Sequence, residues 1–530
     1  MKGRSSEDPH RATGTLVPVW KEILLDTDTP VSAFARLRGG VDPLRTAELD
    51  PLRAAEFAFL LESAPAGGDT WARYTFLGAE PRGAWKLADG VVQEWSPELG
   101  WHGDRRPEDP YADLRTIITA FEPVAAPELG AFWGGAVGYF SYDAVRYIEK
   151  LPRPPAPGVK APDAIFVFTG VVVIIDNLRA QARVVSAMRV PHGTDEAGVR
   201  ALTAQAHGEI DAVIARLRAG PPLPPLDLDP HAEPARGRST YERAKFLADV
   251  ARIKEYIVSG DCFQALLARR IVLPHDFDGT SLYRAIRALN PSPYMYHLVL
   301  DGVELVGSSP ELHVRVADDN VIVRPIAGTR TRGRTPEEDA AAAEELLADE
   351  KERAEHVMLV DLGRNDVGRV SEYGSVRVTE LMAIERFSHV MHIVSQVEGR
   401  LAPGRSTLDV FRATFPAGTM TGAPKVRAME IIDELEPERR GPYSGAVGYI
   451  AYGDHRMDLA ITIRTCVIAG GEASVQCGAG IVADSIPERE WDETENKARA
   501  MLTAIGRVRA ARRAHAAPHT VGRADTGAHI

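Results

Sequence analysis

A proline-rich segment near the middle of the chain limits most strongly how it can fold. Residues 219–237 read AGPPLPPLDLDPHAEPARG and have no helical or strand periodicity. Proline fixes φ and lacks an N–H donor, so neither a helix nor a central strand can run through this segment. We interpret it as a linker between an N-terminal domain at 15–218 and a second domain at 238–506.

The two ends of the second domain have their own sequence signals. Ser239 and Glu242 form a capping-box pattern and are followed by apolar residues at helical spacing, which predicts a helix start. Beyond Gly506 the sequence is rich in arginine, then in histidine, alanine and glycine. We expect a frayed helix end and a disordered tail over 507–530, with no assigned function.

The composition is that of an ordinary globular protein with an acidic balance. The 62 basic and 74 acidic side chains give a formal net charge of −12. Nucleic acids and anionic membranes are bound through basic patches, so we expect neither as a partner. The longest apolar run, 164–175, is shorter than the roughly 20 residues of a membrane helix. Its valine and isoleucine content predicts a buried strand.

The cysteines indicate a reducing compartment. Cys262, Cys466 and Cys477 are too few and too scattered for a disulfide framework or a zinc site. The polar N-terminus is not followed by an apolar leader segment. We therefore expect a cytoplasmic protein.

Two pairs of glutamates in the second domain suggest a metal site. Glu352 and Glu355 are three residues apart, as are Glu490 and Glu493, and each pair lies in a helical pattern. Both carboxylates of a pair therefore point to one side of a helix. Four gathered acids favour a hard cation such as Mg²⁺, which takes oxygen ligands and completes its shell with water and substrate. The alternative is two solvated helix faces neutralised by neighbouring basic residues.

The segment 415–425, FPAGTMTGAPK, predicts a loop followed by a helix. Thr421 is a candidate cap for a helix that begins near Pro424. Helix N-termini favour anions, so the preceding loop with Thr419 is a candidate wall of an anion pocket. A purely structural loop is the alternative.

Two segments of the chain echo each other. GAVGYFSYD at 135–143 and GAVGYIAYG at 445–453 share most of their residues. They predict either an internal repeat or two glycine-flanked strands that converged on one pattern.

Four long motifs, taken together, resemble one family. They are PIAGTRTRG (325–333), DEKERAEHVMLVDLGRND (349–366), FPAGTMTGAPK (415–425) and GAGIVADSIPEREWDETENKA (478–498). They resemble the chorismate-utilising enzymes, and among these the large subunits of anthranilate synthase. The resemblance implies an α+β fold in which large antiparallel β-sheets pack face to face with helices outside.

The resemblance also implies a reaction. Chorismate and ammonia would give anthranilate and pyruvate in the first committed step of tryptophan biosynthesis, with Mg²⁺ as cofactor. Glu355 and Glu493 would ligate the metal, and Glu352 and Glu490 would do so directly or through water. A cation between these acids and the ring carboxylate of chorismate turns repulsion into a bridge.

Further site residues follow from the same resemblance. The expected substrate contacts are Gly328, Thr329, Tyr443, Arg464, Gly478, Ala479, Gly480 and Lys497. A guanidinium fork suits the enolpyruvyl carboxylate, and the GAG segment would add backbone N–H groups. Glu311 would be the acid for the leaving C4 oxygen, His392 would serve the second step, and Thr419 would be an active-site threonine. His389 is interpreted as structural.

Two positions discriminate among relatives. Relatives that add water carry a lysine where GDCFQ (260–264) ends in Gln264, which has no basic form to activate water. Relatives that make 4-amino-4-deoxychorismate carry a nucleophilic lysine where this chain has Ala327. Both differences favour anthranilate. We find no glutaminase segment, so ammonia is expected from a separate glutamine amidotransferase subunit.

A tryptophan site is also expected from the resemblance. LLES (60–63) and NPSPYMY (290–296) are similar to the family's inhibitor site, in which Ser63, Pro293, Tyr294 and Met295 would hold L-tryptophan. Such feedback couples two sites through a change of state. The rival interpretations are another chorismate aminase, and a catalytically silent tryptophan sensor that only binds a glutaminase.

Overall fold

The fold is α+β, with two large antiparallel sheets packed face to face and helices outside, as predicted. A computed structural model describes residues 12–38, 56–63, 73–220, 222–387 and 390–516. His389 lies outside these described residues.

Ten α-helices lie in the described part of the chain. They are α1 Pro30–Leu37, α2 Pro110–Ile118, α3 Glu196–Ala219, α4 Arg243–Val258, α5 Gly279–Leu289, α6 Pro336–Ala348, α7 Glu350–Gly368, α8 Thr407–Thr414, α9 Lys425–Leu435 and α10 Pro487–Ala516. Aspartate or serine side chains cap several of them: Asp278 accepts from the Ser281 N–H at the start of α5, and Asp349 caps α7. Among the described residues, no helix has both the length and the apolarity needed to cross a membrane.

The strands form one sheet of thirteen strands and one of twelve. In chain order they are β1 Gly14–Leu24, β2 Phe57–Glu62, β3 Tyr74–Ala79, β4 Gly83–Ala88, β5 Val91–Ser96, β6 Gly100–Arg105, β7 Glu122–Pro123, β8 Gly135–Phe140, β9 Ala164–Phe168, β10 Val171–Asp176, β11 Gln181–Pro191, β12 Arg238–Ser239, β13 Gln264–Pro274, β14 Tyr294–Leu300, β15 Val303–Ser309, β16 Leu312–Ala317, β17 Asn320–Val323, β18 Ile326–Thr331, β19 Arg377–Arg386, β20 Val390–Arg400, β21 Gly422–Ala423, β22 Ala446–Ala451, β23 Arg456–Ile461, β24 Thr465–Ala469 and β25 Glu472–Ile481.

Each sheet is built from both halves of the chain. The larger sheet runs β12-β13-β25-β24-β15-β14-β2-β3-β10-β11-β1-β7, and the smaller runs β18-β20-β17-β16-β23-β22-β8-β9-β4-β5-β6. The halves meet where β14 pairs with β2 and where β22 pairs with β8. One buried cluster fills the space between the sheets, and two others lie between each sheet and its helices.

The strand order supports the internal repeat. In each sheet the two halves of the chain contribute matching series of five strands, which run outward in mirrored order from the central pair. In the larger sheet the central pair is β14 and β2, and the strands β14, β15, β24, β25 and β13 match β2, β3, β10, β11 and β1. The two echoing segments form β8 and β22, which are neighbours, and Gly138 lies directly opposite Gly448. The echo therefore marks equivalent strands of two similar halves.

The linker packs against the fold. Residues 222–237 lie between α3 and β12 and form neither helix nor strand. The Ala235 N–H donates to the Leu502 carbonyl on α10 at 2.8 Å. A Cβ at Gly506 would come within 2.1 Å of the Glu233 carbonyl oxygen, so this close approach of linker and helix requires glycine.

Two local expectations need correction. Helix α4 begins at Arg243 without a side-chain cap, because the Ser239 hydroxyl donates to the Tyr241 carbonyl instead. Of the frayed helix end and disordered tail predicted over 507–530, residues 507–516 form the last turns of α10, which runs to Ala516, and 517–530 lie outside the described residues. Arg509 pairs with Asp276 at 2.7 Å and Arg507 donates to the Pro230 carbonyl, which anchors the end of the helix.

Candidate active site

The four predicted metal glutamates act on one another across one cleft. Glu352 and Glu355 lie on α7, and Glu490 and Glu493 lie on α10. Burial raises the pKa of Glu355, and the Glu352 and Glu493 carboxylates raise it further. Burial also raises the pKa of Glu490, and Glu493 again adds to the shift. The two helices therefore gather acids that disfavour one another's charge.

The four acids do not form a closed metal cage. Lys497 Nζ lies 2.7 Å from Glu493 Oε1, and Gln264 Nε2 donates to Glu355 Oε1 at 3.1 Å. Among the described residues, no group of three or more acidic, histidine or cysteine side chains is arranged to enclose a metal. An ion held here would have to take most of its ligands from water and substrate, as Mg²⁺ does when a protein offers it one or two carboxylates.

The neighbouring strand β18 holds His392 in its neutral form. Its Nδ1 lies 2.8 Å from the Gly328 carbonyl oxygen and 3.2 Å from Thr329 Oγ1. A carbonyl only accepts, so Nδ1 carries the proton and Nε2 keeps its lone pair. Burial lowers the pKa of His392, with a further lowering by Arg464, so the neutral form dominates near pH 7.

Gly328 is required where the PIAGT motif passes the acids. Its φ is +66°, in the left-handed region that favours glycine. A Cβ there would lie 3.0 Å from Leu346 Cδ1 and 3.2 Å from Glu352 Oε2. The glycine therefore lets β18 approach the first glutamate pair closely.

Arg464 lies partly buried at the same cleft without an acidic partner. No carboxylate in the described part of the chain lies within ion-pair distance of its guanidinium, which donates only to the Lys497 carbonyl, at 3.3 Å. Burial lowers its pKa, and its φ of +52° places it in a region that costs a non-glycine residue energy. Tyr443 is buried nearby and adds to the apolar surroundings. A desolvated, unpaired guanidinium is a ready binding group for an anion.

The GAG segment is divided between the sheet and the cleft. In β13, the Leu266 and Ala268 N–H groups donate away from β25, to Thr421 and Glu436. Leu267, which lies between these two residues and opposite Ala479, is therefore the residue whose backbone N–H and C=O bond to β25. The expectation that Ala479 offers its N–H to a ligand is thus wrong, because the sheet uses that group. Gly478 and Gly480 face the other side, where the Gly478 carbonyl accepts from Lys497 Nζ at 2.9 Å.

Glu311 and Thr419 lie together at the floor of the cleft. Glu311 precedes β16 and is 7% exposed. Burial raises its pKa to about 8, against the lowering effects of the Thr419 hydroxyl and the Lys497 ammonium. Near neutral pH the carboxyl is therefore protonated, as an acid catalyst requires. Thr421 does not cap α9, because its hydroxyl donates to the Ala417 carbonyl.

The predicted tryptophan-binding residues meet where the two halves of the chain join. β2 and β14 pair with Met295 opposite Glu62, which brings Ser63 beside Tyr294 and Pro293. Glu62 itself is buried and accepts from Tyr283 Oη and Arg287. One hydrogen bond connects this corner with the cleft. Tyr296, which follows Met295, has its Oη 2.5 Å from Thr465 Oγ1, and Thr465 follows Arg464 in the chain.

Known proteins resemble the chain over this whole architecture. The family described as chorismate binding enzyme matches residues 83–503. The chain belongs to the chorismate binding enzyme family. The family match includes every predicted site residue except Ser63 of the tryptophan corner.

Members of the chorismate binding enzyme family resemble the chain along nearly its full length. It is 44% identical to an anthranilate synthase component 1 of Aquifex aeolicus, over 92% of this chain and 94% of that protein. It is also 44% identical to the Streptomyces coelicolor protein of the same name, over 95% and 93%. An anthranilate synthase component I structure from Streptococcus pneumoniae has a TM-score of 0.72 at 35% identity, covering 87% of this chain and 98% of that one. A menaquinone-specific isochorismate synthase from Escherichia coli, at 18% identity and TM-score 0.63 over 93% and 95%, shares the fold.

One residue of this chorismate binding enzyme that supports the site has no signal in the sequence. Arg440 is 1% exposed and pairs with the buried Glu436 at 2.6 Å. It also donates to the carbonyls of Met420 and Leu266, and so joins the Thr419 loop to β13. It stands in an ordinary charged run, EPERRGP, that gives no hint of burial.

Proposed function

We propose that this chorismate binding enzyme is the large subunit of an anthranilate synthase, which converts chorismate and ammonia to anthranilate and pyruvate. The observation that carries the proposal is Arg464, an unpaired guanidinium beside four mutually repelling glutamates. Such a site suits a substrate with two carboxylates, one for the guanidinium and one for a cation among the acids. The relatives named anthranilate synthase component 1 support this choice.

Mg²⁺ is the proposed cofactor, held by Glu355 and Glu493, with Glu352 and Glu490 as direct or water-mediated partners. The raised pKa values of Glu355 and Glu490, and the position of the four acids on α7 and α10, support this assignment. When bound, the ion neutralises the ring carboxylate of chorismate and withdraws charge from the ring. Lys497 neutralises part of the acidic charge and positions Glu493.

Proton transfers are assigned to Glu311 and His392. Glu311, protonated near neutral pH, gives its proton to the C4 oxygen as the hydroxyl leaves. His392 is neutral with Nε2 unprotonated, so it can take the ring proton during pyruvate elimination. Arg464 and the N–H groups of Gly478 and Gly480 would hold the enolpyruvyl side chain during both steps.

Ammonia is the proposed nucleophile, delivered by a separate glutamine amidotransferase subunit. Gln264 donates through Nε2 to Glu355, and its Oε1 is buried without a partner among the described residues. This oxygen can accept a hydrogen bond from ammonia beside the metal site. Ala327, opposite Ile393 in the β18–β20 pair, has no nucleophilic group for the 4-amino reaction.

L-Tryptophan is the proposed feedback inhibitor, bound by Ser63, Pro293, Tyr294 and Met295. Support comes from the pairing of β2 with β14, which gathers these residues from both halves of the chain. The bond between Tyr296 and Thr465 offers a route from that corner to Arg464.

One experiment tests the proposal against its rivals. The purified chain is given chorismate, Mg²⁺ and ammonium, with and without tryptophan, and the product is identified by chromatography and fluorescence. Anthranilate whose formation stops with tryptophan supports the enzyme and the feedback site. Anthranilate without inhibition refutes the tryptophan site alone. An amino-chorismate that is never aromatised indicates the other aminase, and no Mg²⁺-dependent product indicates a silent sensor.

A further inference from the structure

A small chamber, partly open to solvent, lies beside Glu311. It has a volume of about 40 Å³, and its polar lining residues are Glu311, His313, Arg324, Asp366, Thr414 and Thr419. Of the predicted site residues, only Glu311 and Thr419 line it, so these two form a wall shared with the cleft. The chamber has room for about two or three water molecules, and its walls are polar enough to hold them.

His313 and Thr419 are polar residues of this chamber whose buried side-chain atoms have no hydrogen-bond partner among the described residues. His313 is 4% exposed and lies at the irregularity where β16 shifts its register against β23. Within the described residues neither ring nitrogen makes a well-aligned hydrogen bond, although the Thr414 carbonyl lies near enough to the ring to raise its pKa. A buried imidazole without partners costs free energy, so a structure that tolerates one implies water in contact with it.

The surroundings of His313 keep its ring neutral. Burial lowers its pKa to about 3, and the Lys425 ammonium lowers it further, while the Thr414 carbonyl acts in the opposite direction. Lys425 itself pairs with Asp366 at 2.7 Å on the chamber wall, and Arg324 pairs with Glu380 and Glu385. A neutral imidazole has one donor and one acceptor, so it can pass a proton between two waters by exchanging tautomers.

We propose that water fills this chamber and that His313 positions it to return a proton to Glu311 in each turnover. The proposal rests on the proposed role of Glu311 as the acid. Glu311 loses a proton when the C4–O bond breaks and water leaves. The carboxylate then takes a proton from a chamber water, which takes one from the imidazole N–H, and the other ring nitrogen takes one from a second water. The hydroxide left at the second water is neutralised by solvent, with which the partly open chamber exchanges, and the same exchange restores the first tautomer of the ring. Solvent also takes up the proton that attack by ammonia releases, so the cycle balances.

Two substitutions at His313 separate a relay from a packing role. His313 packs edge-on against Phe411 and Phe415, so His313→Phe keeps the aromatic contact and removes both nitrogens. His313→Gln loses the ring but still holds water. We expect His313→Phe to lower kcat about tenfold, less than the at least about hundredfold that losing the acid itself costs. We expect His313→Gln to lose less, with KM for chorismate nearly unchanged in both variants.

Three readouts decide the outcome. Stopped-flow anthranilate fluorescence gives kcat, and its solvent deuterium isotope effect should increase in His313→Phe because proton return becomes slow. Wild-type kcat in His313→Phe, or a larger loss in His313→Gln than in His313→Phe, overturns the relay. A high-resolution crystal structure with a dry chamber overturns it as well, even if a variant fails to fold. Glu311→Gln tests the acid separately: full activity in that variant refutes the proposed acid whatever His313 does.

Discussion

Replacing Arg464 with methionine should make the substrate-free chain more stable and the enzyme much less active. The guanidinium has no acidic partner within the described residues and lies partly desolvated. Replacing an uncompensated charge with an apolar side chain removes a desolvation cost, and we expect a gain of about 1 kcal/mol in the free energy of unfolding. The gain is at the low end of the usual range because Arg464 keeps some contact with solvent.

The same substitution removes the proposed anchor of the enolpyruvyl carboxylate. Hydrogen bonds to a charged group contribute about 1.5–3 kcal/mol each, which corresponds to a loss of about 10- to 150-fold in kcat/KM. Urea denaturation followed by circular dichroism gives the stability, and anthranilate fluorescence gives the kinetics. The stabilising effect should disappear when chorismate is present at saturation for the wild type, because binding stabilises only the chain that binds.

Arg440 provides the matched control. It is also a buried arginine of the same site region, but it is paired with the buried Glu436. Arg440→Met leaves that carboxylate uncompensated and should cost about 3–5 kcal/mol. If Arg464→Met destabilises the chain as Arg440→Met does, Arg464 has a structural partner and the anion-site reasoning fails.

The remaining predictions concern the metal, the base, the inhibitor and the buried histidine. Glu493→Gln should abolish Mg²⁺-dependent turnover, and turnover at the wild-type rate would exclude Glu493 from the metal site. His392→Ala should slow elimination more than amination, so that the amino intermediate accumulates in chromatography; an equal loss of both steps would contradict its role. Ser63→Ala should weaken tryptophan inhibition at unchanged kcat, and unaltered inhibition would locate the effector elsewhere. Burial lowers the pKa of His313 to about 3, below the pKa of a histidine in the unfolded chain. The stability that the neutral ring allows is therefore fully present above the pKa of the unfolded chain and is lost as the pH falls below it. His313 alone should lower the free energy of unfolding by at most about 1.4 kcal/mol per pH unit between about pH 6 and 3, in addition to the other groups that titrate there, and His313→Phe should remove that part of the slope in pH-dependent urea titrations.

Local spacing predicted the parts of the site that one element determines. Glu352 and Glu355 face one cleft because a helix places residues three apart on the same side. The apolar run 164–175 predicted a buried strand, but the structure divides it into β9 and β10 with a turn at Thr169 and Gly170. Periodicity cannot detect such a turn when both strands are buried on both faces.

Contacts between distant residues could not be predicted from spacing. Gln264 reaches Glu355 across 91 positions, and Arg440 reaches the Leu266 carbonyl across 174. Each bond depends on the order of strands in a sheet, which a single sequence does not determine. The same holds for the His313 chamber, whose walls come from β16, α7 and the loop around Thr419.

The internal repeat explains why only one half of the chain holds the cleft. Arg82 immediately precedes β4 in the N-terminal half, as Glu311 immediately precedes β16 in the C-terminal half. Arg82 pairs with Glu209 of α3 at 2.9 Å, and the Ser186 hydroxyl of β11 donates to the same carboxylate at 2.7 Å. The N-terminal half thus has the Arg82–Glu209 ion pair at the position where the C-terminal half has Glu311, which forms no ion pair among the described residues.

The second difference between the halves lies at the residue that precedes β24 in one half and the matching strand β10 in the other. Arg464 precedes β24, whereas the equivalent residue before β10 is Gly170. A Cβ at Gly170 would already approach the Glu80 carbonyl and the Arg82 side chain at 3.3 and 3.5 Å, so a long cationic side chain has no space there. Placing an arginine at 170 would not create a second anion site unless the Arg82–Glu209 pair were removed as well. At these two positions the N-terminal half therefore satisfies its charges internally, whereas the C-terminal half leaves Glu311 and Arg464 without an ion pair among the described residues, which is where we propose that substrate binds.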